Sequence, residues 1–115
     1  TEEFDTNSNF SSSRFTPTIP GYYQFNASLV GQTTTTTYGL YGAFYKNGSI
    51  FKYTTWANAN GGAWPQSTGS ALIYLNGTTD YVELYVLPTG GGSGAATINA
   101  GSADTWFSGC FLRSV

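Results

Sequence analysis

Pro20-Gly21-Tyr22-Tyr23-Gln24-Phe25-Asn26-Ala27-Ser28-Leu29 is the stretch that decides the fold. Tyr23, Phe25, Ala27 and Leu29 fall on one face of an extended chain, and Tyr22, Gln24, Asn26 and Ser28 on the other. A period of two predicts a strand half-buried against a core, because successive side chains point to opposite sides. Pro20-Gly21 is the bend that opens it. Just upstream, Phe15 to Ile19 predicts a short neighbouring strand. Pro17 has no N–H for a ladder and holds that strand to an edge or an irregularity.

Downstream, apolar runs alternate with turn signals. The threonines from Thr33 to Thr37 read as a loop running into a strand over Tyr38 to Tyr45. Asn47-Gly48 suits a two-residue type I′ turn, since both residues tolerate positive φ, and Ile50 to Trp56 is the expected partner strand. Asn58 to Pro65 is a glycine- and asparagine-rich excursion carrying Trp64. Gln66 to Leu75 returns to strand with Ala71, Ile73 and Leu75 inward. The turn Asn76-Gly77-Thr78-Thr79 leads into Asp80 to Leu87, where Val82, Leu84 and Val86 alternate against Tyr81, Glu83, Tyr85 and Leu87. Pro88 to Gly94 is a loop, and Ala95 to Ile98 and Thr105 to Arg113 are the last strands. In the final one, Phe107, Gly109 and Phe111 oppose Trp106, Ser108, Cys110 and Leu112. Apolar residues on both faces predict a central strand or one covered by a partner subunit.

A chain of 115 residues suits one domain over residues 1–115, and no segment reads as helix. Short strands without helices point to a sandwich or jelly roll. The four cations Arg14, Lys46, Lys52 and Arg113 are scattered among six acids, which argues against nucleic acid and anionic lipid as partners. No apolar run has the length of a membrane span, so insertion is not expected. The chain opens on Thr1, as expected of a piece of a longer protein. Cys110 has no partner cysteine and is expected to be a buried thiol.

Catalysis is not expected. Without histidine, Ser108 or Cys110 would need an aspartate or lysine as base. Asp80 and Glu83 are three apart on a strand and point to opposite faces, unlike the paired acids of a glycosidase. Asp80 reads instead as a turn ligand to backbone N–H groups. The glycine cluster of Pro88 to Gly94 lacks the Lys-Ser/Thr and helix of a phosphate loop. Nine tyrosines, eight phenylalanines and three tryptophans exceed what one small core hides. Phe15, Tyr23, Phe25, Phe44, Phe107 and Phe111 are assigned to that core. Trp56 and Trp64 flank a polar loop with Asn58 and Asn60, and these four are the candidate ligand-binding residues. Their indoles stack on sugar C–H surfaces in one reading and cap the barrel end in the other.

The order Phe4, Asn7, Phe10, Phe15, Gly21-Tyr22-Tyr23-Gln24-Phe25, Asn47-Gly48, Ser67 to Leu75, Asp80-Tyr81-Val82-Glu83-Leu84 and Phe107-Ser108-Gly109 resembles the globular head of complement C1q. That family shares its jelly roll with the tumour necrosis factor ligands. The resemblance implies an all-β C1q/TNF-like jelly-roll sandwich of about eight to ten antiparallel strands. It departs at the start, where the family's short first strand, which pairs with the last, is missing, rebuilt from Thr1 to Phe4, or supplied by a neighbour. The serine, threonine, asparagine and glycine bias is closest to C1q-like heads of bacteriophage fibres and other virion appendages. The implied protein is an extracellular, virion-borne homotrimeric head that binds a host surface glycan or other polymer, at the C-terminus of a longer chain. A structural cap or capsid-decoration module and a secreted C1q-like ligand or lectin are the alternatives. No cofactor is expected, and calcium, which some such trimers bind, is assigned no position. Two-faced apolar patterning makes Tyr81, Tyr85, Leu87 and Trp106 the candidate trimer contacts.

Overall fold

The computed structural model describes residues 5–32, 38–59, 63–89 and 97–115. Ten strands form two sheets: β1 (Phe10–Ser11), β2 (Arg14–Phe15), β3 (Gly21–Gln32), β4 (Tyr38–Lys46), β5 (Ser49–Tyr53), β6 (Ala57–Ala59), β7 (Gln66–Leu75), β8 (Val82–Thr89), β9 (Thr97–Ile98) and β10 (Trp106–Arg113). The first sheet runs β1-β2-β8-β4-β5 with β6 also on β4; the second runs β10-β3-β7 with β9 also on β3. Every pairing among them is antiparallel. The result is an all-β sandwich.

The period of two places the core. From β3, Tyr23, Phe25, Ala27 and Leu29 are all buried, and they meet Ala71, Ile73 and Leu75 of β7 and Leu40, Phe44 and Val82 of the facing sheet. Phe25 lies parallel to Phe107 with ring centroids 5.5 Å apart, and the edge of Phe15 meets it at 5.6 Å. Gly109 faces this stack because a Cβ there would come within 2.6 Å of the Phe25 ring. Burial raises the ionisation threshold of the Tyr23 phenol, whose O–H donates to the Ile19 carbonyl at 2.8 Å.

Several boundaries differ from expectation. Of the strand expected over Phe15 to Ile19, only Phe15 is strand, as the end of β2, which pairs with β1 and β8 rather than with β3. Residues 16–20 carry the chain from one sheet to the other, with Pro17 buried. The Asn47-Gly48 turn forms as expected, with φ of 52° and 79°. Its second strand ends at Tyr53, not at Trp56, and the chain returns to β4 as β6. β10 lies at a sheet edge among the described residues, not at the centre. Cys110 is accordingly exposed on its outward row instead of buried, and Phe111, though packed on Tyr23 at 5.3 Å, is 44% exposed because no described strand lies beyond it.

β5 stops where it does because of a bulge. Tyr45 pairs with Ile50, but Phe44 pairs with Lys52, so Phe51 is an extra residue. A one-residue slip exchanges the two faces of a strand. Thr54 therefore turns inward opposite Gly42, and Tyr53 turns outward opposite Ala43. The Thr54 hydroxyl accepts from the Gly42 N–H at 2.6 Å and shares a 2.6 Å hydrogen bond with the fully buried Ser67 hydroxyl of the other sheet. Gly42 and Gly69 leave the room: a Cβ on the first would meet Leu29 at 2.4 Å, and on the second Thr54 at 2.7 Å. Replacing Thr54 with valine keeps the shape and strands buried polar groups, a cost of about 2 kcal/mol. Thermal denaturation of Thr54→Val is expected to show a melting temperature lower by roughly 10 °C; an unchanged melt would refute this role.

Candidate functional site

The outward face of the first sheet is aromatic. Alternation along β4 sends Tyr41, Ala43 and Tyr45 outward, and cross-strand pairing sets Tyr85 and Tyr53 on either side of Ala43. Ala43 is completely covered. Tyr45 and Tyr85 lie 4.4 Å apart, ring to ring. Trp56 stacks on Tyr41 at 4.1 Å with its other face open, and Tyr53 meets Tyr41 edge-on at 5.7 Å. Trp56 is 61% exposed and Tyr53 55%, so the ledge offers aromatic area that the fold itself does not consume.

Tyr53 stands at a corner. Thr55, two residues along, donates its N–H to the Thr68 carbonyl and accepts the Thr68 N–H on its hydroxyl, which lays the chain along the edge of β7. Beyond that edge an open groove of about 640 Å³ crosses the outward face of the second sheet. It runs from Tyr53 and Thr55 over Thr68, Ser70 and Asn26 to Trp106.

The residues singled out from sequence are divided by this geometry. Trp56 is on the ledge, with Asn58 two residues on and exposed in β6. Trp64 is 53% exposed in the connection before β7, and no ring among the described residues stacks on it. Asn60 lies outside the described residues. Tyr81, Tyr85 and Leu87 belong to the first sheet's β8 side, with the Arg14 guanidinium 3.7 Å over the Tyr81 ring. Trp106 is on the other sheet, paired with Ser28, so the four do not form one surface. Tyr41, Tyr45 and Tyr53 were not singled out. The Asn47-Gly48 turn implies a register for β5, but the bulge at Phe51 reverses Tyr53, and only the unexplained tyrosine surplus signals it.

Glu83 and Asp80 serve the scaffold. Glu83 accepts two hydrogen bonds from Arg14. Asp80 accepts from the Asn47 amide at 2.8 Å and the Asn76 N–H at 3.1 Å, and pairs with Lys46 at 3.1 Å. Asn76 folds the same turn by accepting the N–H groups of Thr78, Thr79 and Asp80. No group of three potential metal ligands occurs among the described residues. Comparison with protein-family models and with curated protein sequences finds no match.

The hydrogen bond from Asn47 is the largest influence on the Asp80 carboxyl; burial opposes it, and the Lys46 ammonium and the Asn76 N–H add to it, so the carboxyl is held below its ordinary value of 3.8. A depressed folded-state value stabilises the fold above the unfolded-state value, and that stabilisation is lost as pH falls through the folded one. Melting temperatures measured from neutral pH into the acid range are expected to fall less steeply for Asp80→Asn than for the native chain below about pH 4. Parallel curves would mean that this turn is not held by the charge.

Proposed function

We propose that this chain is the receptor-binding or adhesion head of a viral, phage-type fibre or appendage: a C1q/TNF-like jelly roll, homotrimeric, extracellular and non-catalytic, recognising a glycan or similar surface polymer. The observation that carries the reading is the Trp56 indole, stacked on Tyr41 and open on its other face. The negative face of an aromatic ring suits the apolar C–H face of a pyranose. The two-sheet sandwich supports the fold assignment, and so does the outer edge of β10, where the family's first strand would pair and where no strand lies among the described residues.

Assembly needs a different surface from the ledge. The lower half of the second sheet's outward face carries Leu72 (50% exposed), Tyr74 and Tyr22, with Leu112 (54%) in the bulge of β10. Arg113 lies over the Tyr22 ring and Lys46 over the Tyr74 ring, and the apolar area between suits burial about a three-fold axis. Tyr85 remains the competing contact on the first sheet.

Sedimentation at micromolar concentration should give three times the chain mass of 12.3 kDa. Leu72→Asp should dissociate the trimer and Tyr85→Asp should not; the reverse pattern moves the interface to the first sheet, and a native monomer refutes assembly. On a carbohydrate array, Trp56→Ala should lose binding by about tenfold or more with an unchanged melt. An array with no selective binder favours the structural-cap alternative.

A further inference from the structure

We infer that the groove from Tyr53 to Trp106 binds an uncharged, extended saccharide, with the two rings as stacking stations at its ends and Asn26, Thr55, Thr68 and Ser70 as its polar floor. This rests on the glycan-binding reading above and adds the path, the charge and the length of the ligand.

The floor is chemically available. The Asn26 amide, the Thr68 and Ser70 hydroxyls, the Tyr53 phenol and the Trp106 indole N–H make no hydrogen bond to another described residue. One layer below, the Thr54 and Ser67 hydroxyls are committed to each other and to backbone. Amides and hydroxyls both donate and accept, as each sugar hydroxyl does. Among the described residues no charged side chain lines the groove, and the nearby Asp104 carboxylate is held by the Asn99 amide at 3.0 Å. A sialylated or sulfated ligand would require an arginine or lysine to offset its desolvation, so the lining selects a neutral one.

The floor is also rigid. Asn26 pairs directly with Ser70, and Ser28 with Thr68, in an unbroken ladder between β3 and β7. Side chains on strands are held in register before any ligand arrives, which lowers the ordering cost of binding. From Tyr53 across β7 and β3 to β10 is three strand spacings, about 14 Å. That span exceeds a single pyranose and suits a chain of a few sugar units.

Titration calorimetry with neutral glucan, mannan and galactan oligosaccharides of increasing length, and with polysialic acid as the anionic probe, tests this. Affinity for a neutral series should rise with length and then level off, and polysialic acid should not bind. Trp106→Ala and Ser70→Asp should each weaken the longer ligands by about tenfold and the shortest hardly at all, with the melt and the sedimentation of the native chain. Ser70 is exposed, so its replacement tests the groove even if the Trp106 variant fails to fold. Length-independent affinity, preference for polysialic acid, or native binding by both variants while Trp56→Ala abolishes it would overturn the groove and leave the head as a glycan binder. Dissociation of Trp106→Ala into monomers would make that indole a subunit contact instead. Absence of binding to any saccharide would overturn both readings.

Discussion

One buried hydroxyl joins the two halves of this molecule. Thr54 leaves the edge of the first sheet, takes the backbone of Gly42 with its side chain, and reaches Ser67 in the second. Apart from the exposed Lys46 ammonium, which donates to the Tyr74 carbonyl, the sheets touch chiefly through apolar side chains, which attract without direction. A hydrogen bond between hydroxyls has a direction and a length, so it sets how the sheets are placed along their strands as well as how closely they pack. The bareness of Gly42 and Gly69 follows from it, and so does the course of Thr55 along β7.

The ledge and the groove are by-products of the same geometry. A strand that turns one residue inward to join the sheets must turn its neighbour outward. Tyr53 is that neighbour, and its ring ends up where the outward faces of both sheets meet. Interior bonding and surface chemistry are thus set by two adjacent residues, Thr54 just past β5 and Tyr53 at its end.

What could be read in advance follows the regularity of the backbone. The inward rows of β3, β7 and β8 were legible because uninterrupted alternation leaves one way to bury Phe25, Ile73 and Val82. Asp80 as a turn ligand and Asn47-Gly48 as a tight turn were legible because local chemistry alone specifies them. The bulge at Phe51 was not: neither glycine nor proline announces it, and it arises from Thr54 seeking partners distant in sequence. Cys110 and Phe111 show a second limit. Alternation tells which face a residue takes but not whether anything stands outside that face. Ser28 shows the converse, an outward residue covered because its hydroxyl donates to the Asp104 carbonyl. The ligand candidates were legible only as aromatic residues in a polar segment, since stacking on Tyr41 depends on β6 returning to β4.

The exposed margin of β10 has a consequence for the chain as a material. Natural sheets guard their margins with lysine, proline or a covering segment. Between Trp106 and Leu112 there is no charged residue and no proline, and among the described residues Arg113 at the far end is the one guard on the strand. Among the described residues no strand pairs with its outer N–H and C=O groups, and such a margin is a template for an extended peptide that arrives in register. Which extended segment takes that margin, one of this chain or of another, decides how the molecule associates along β10.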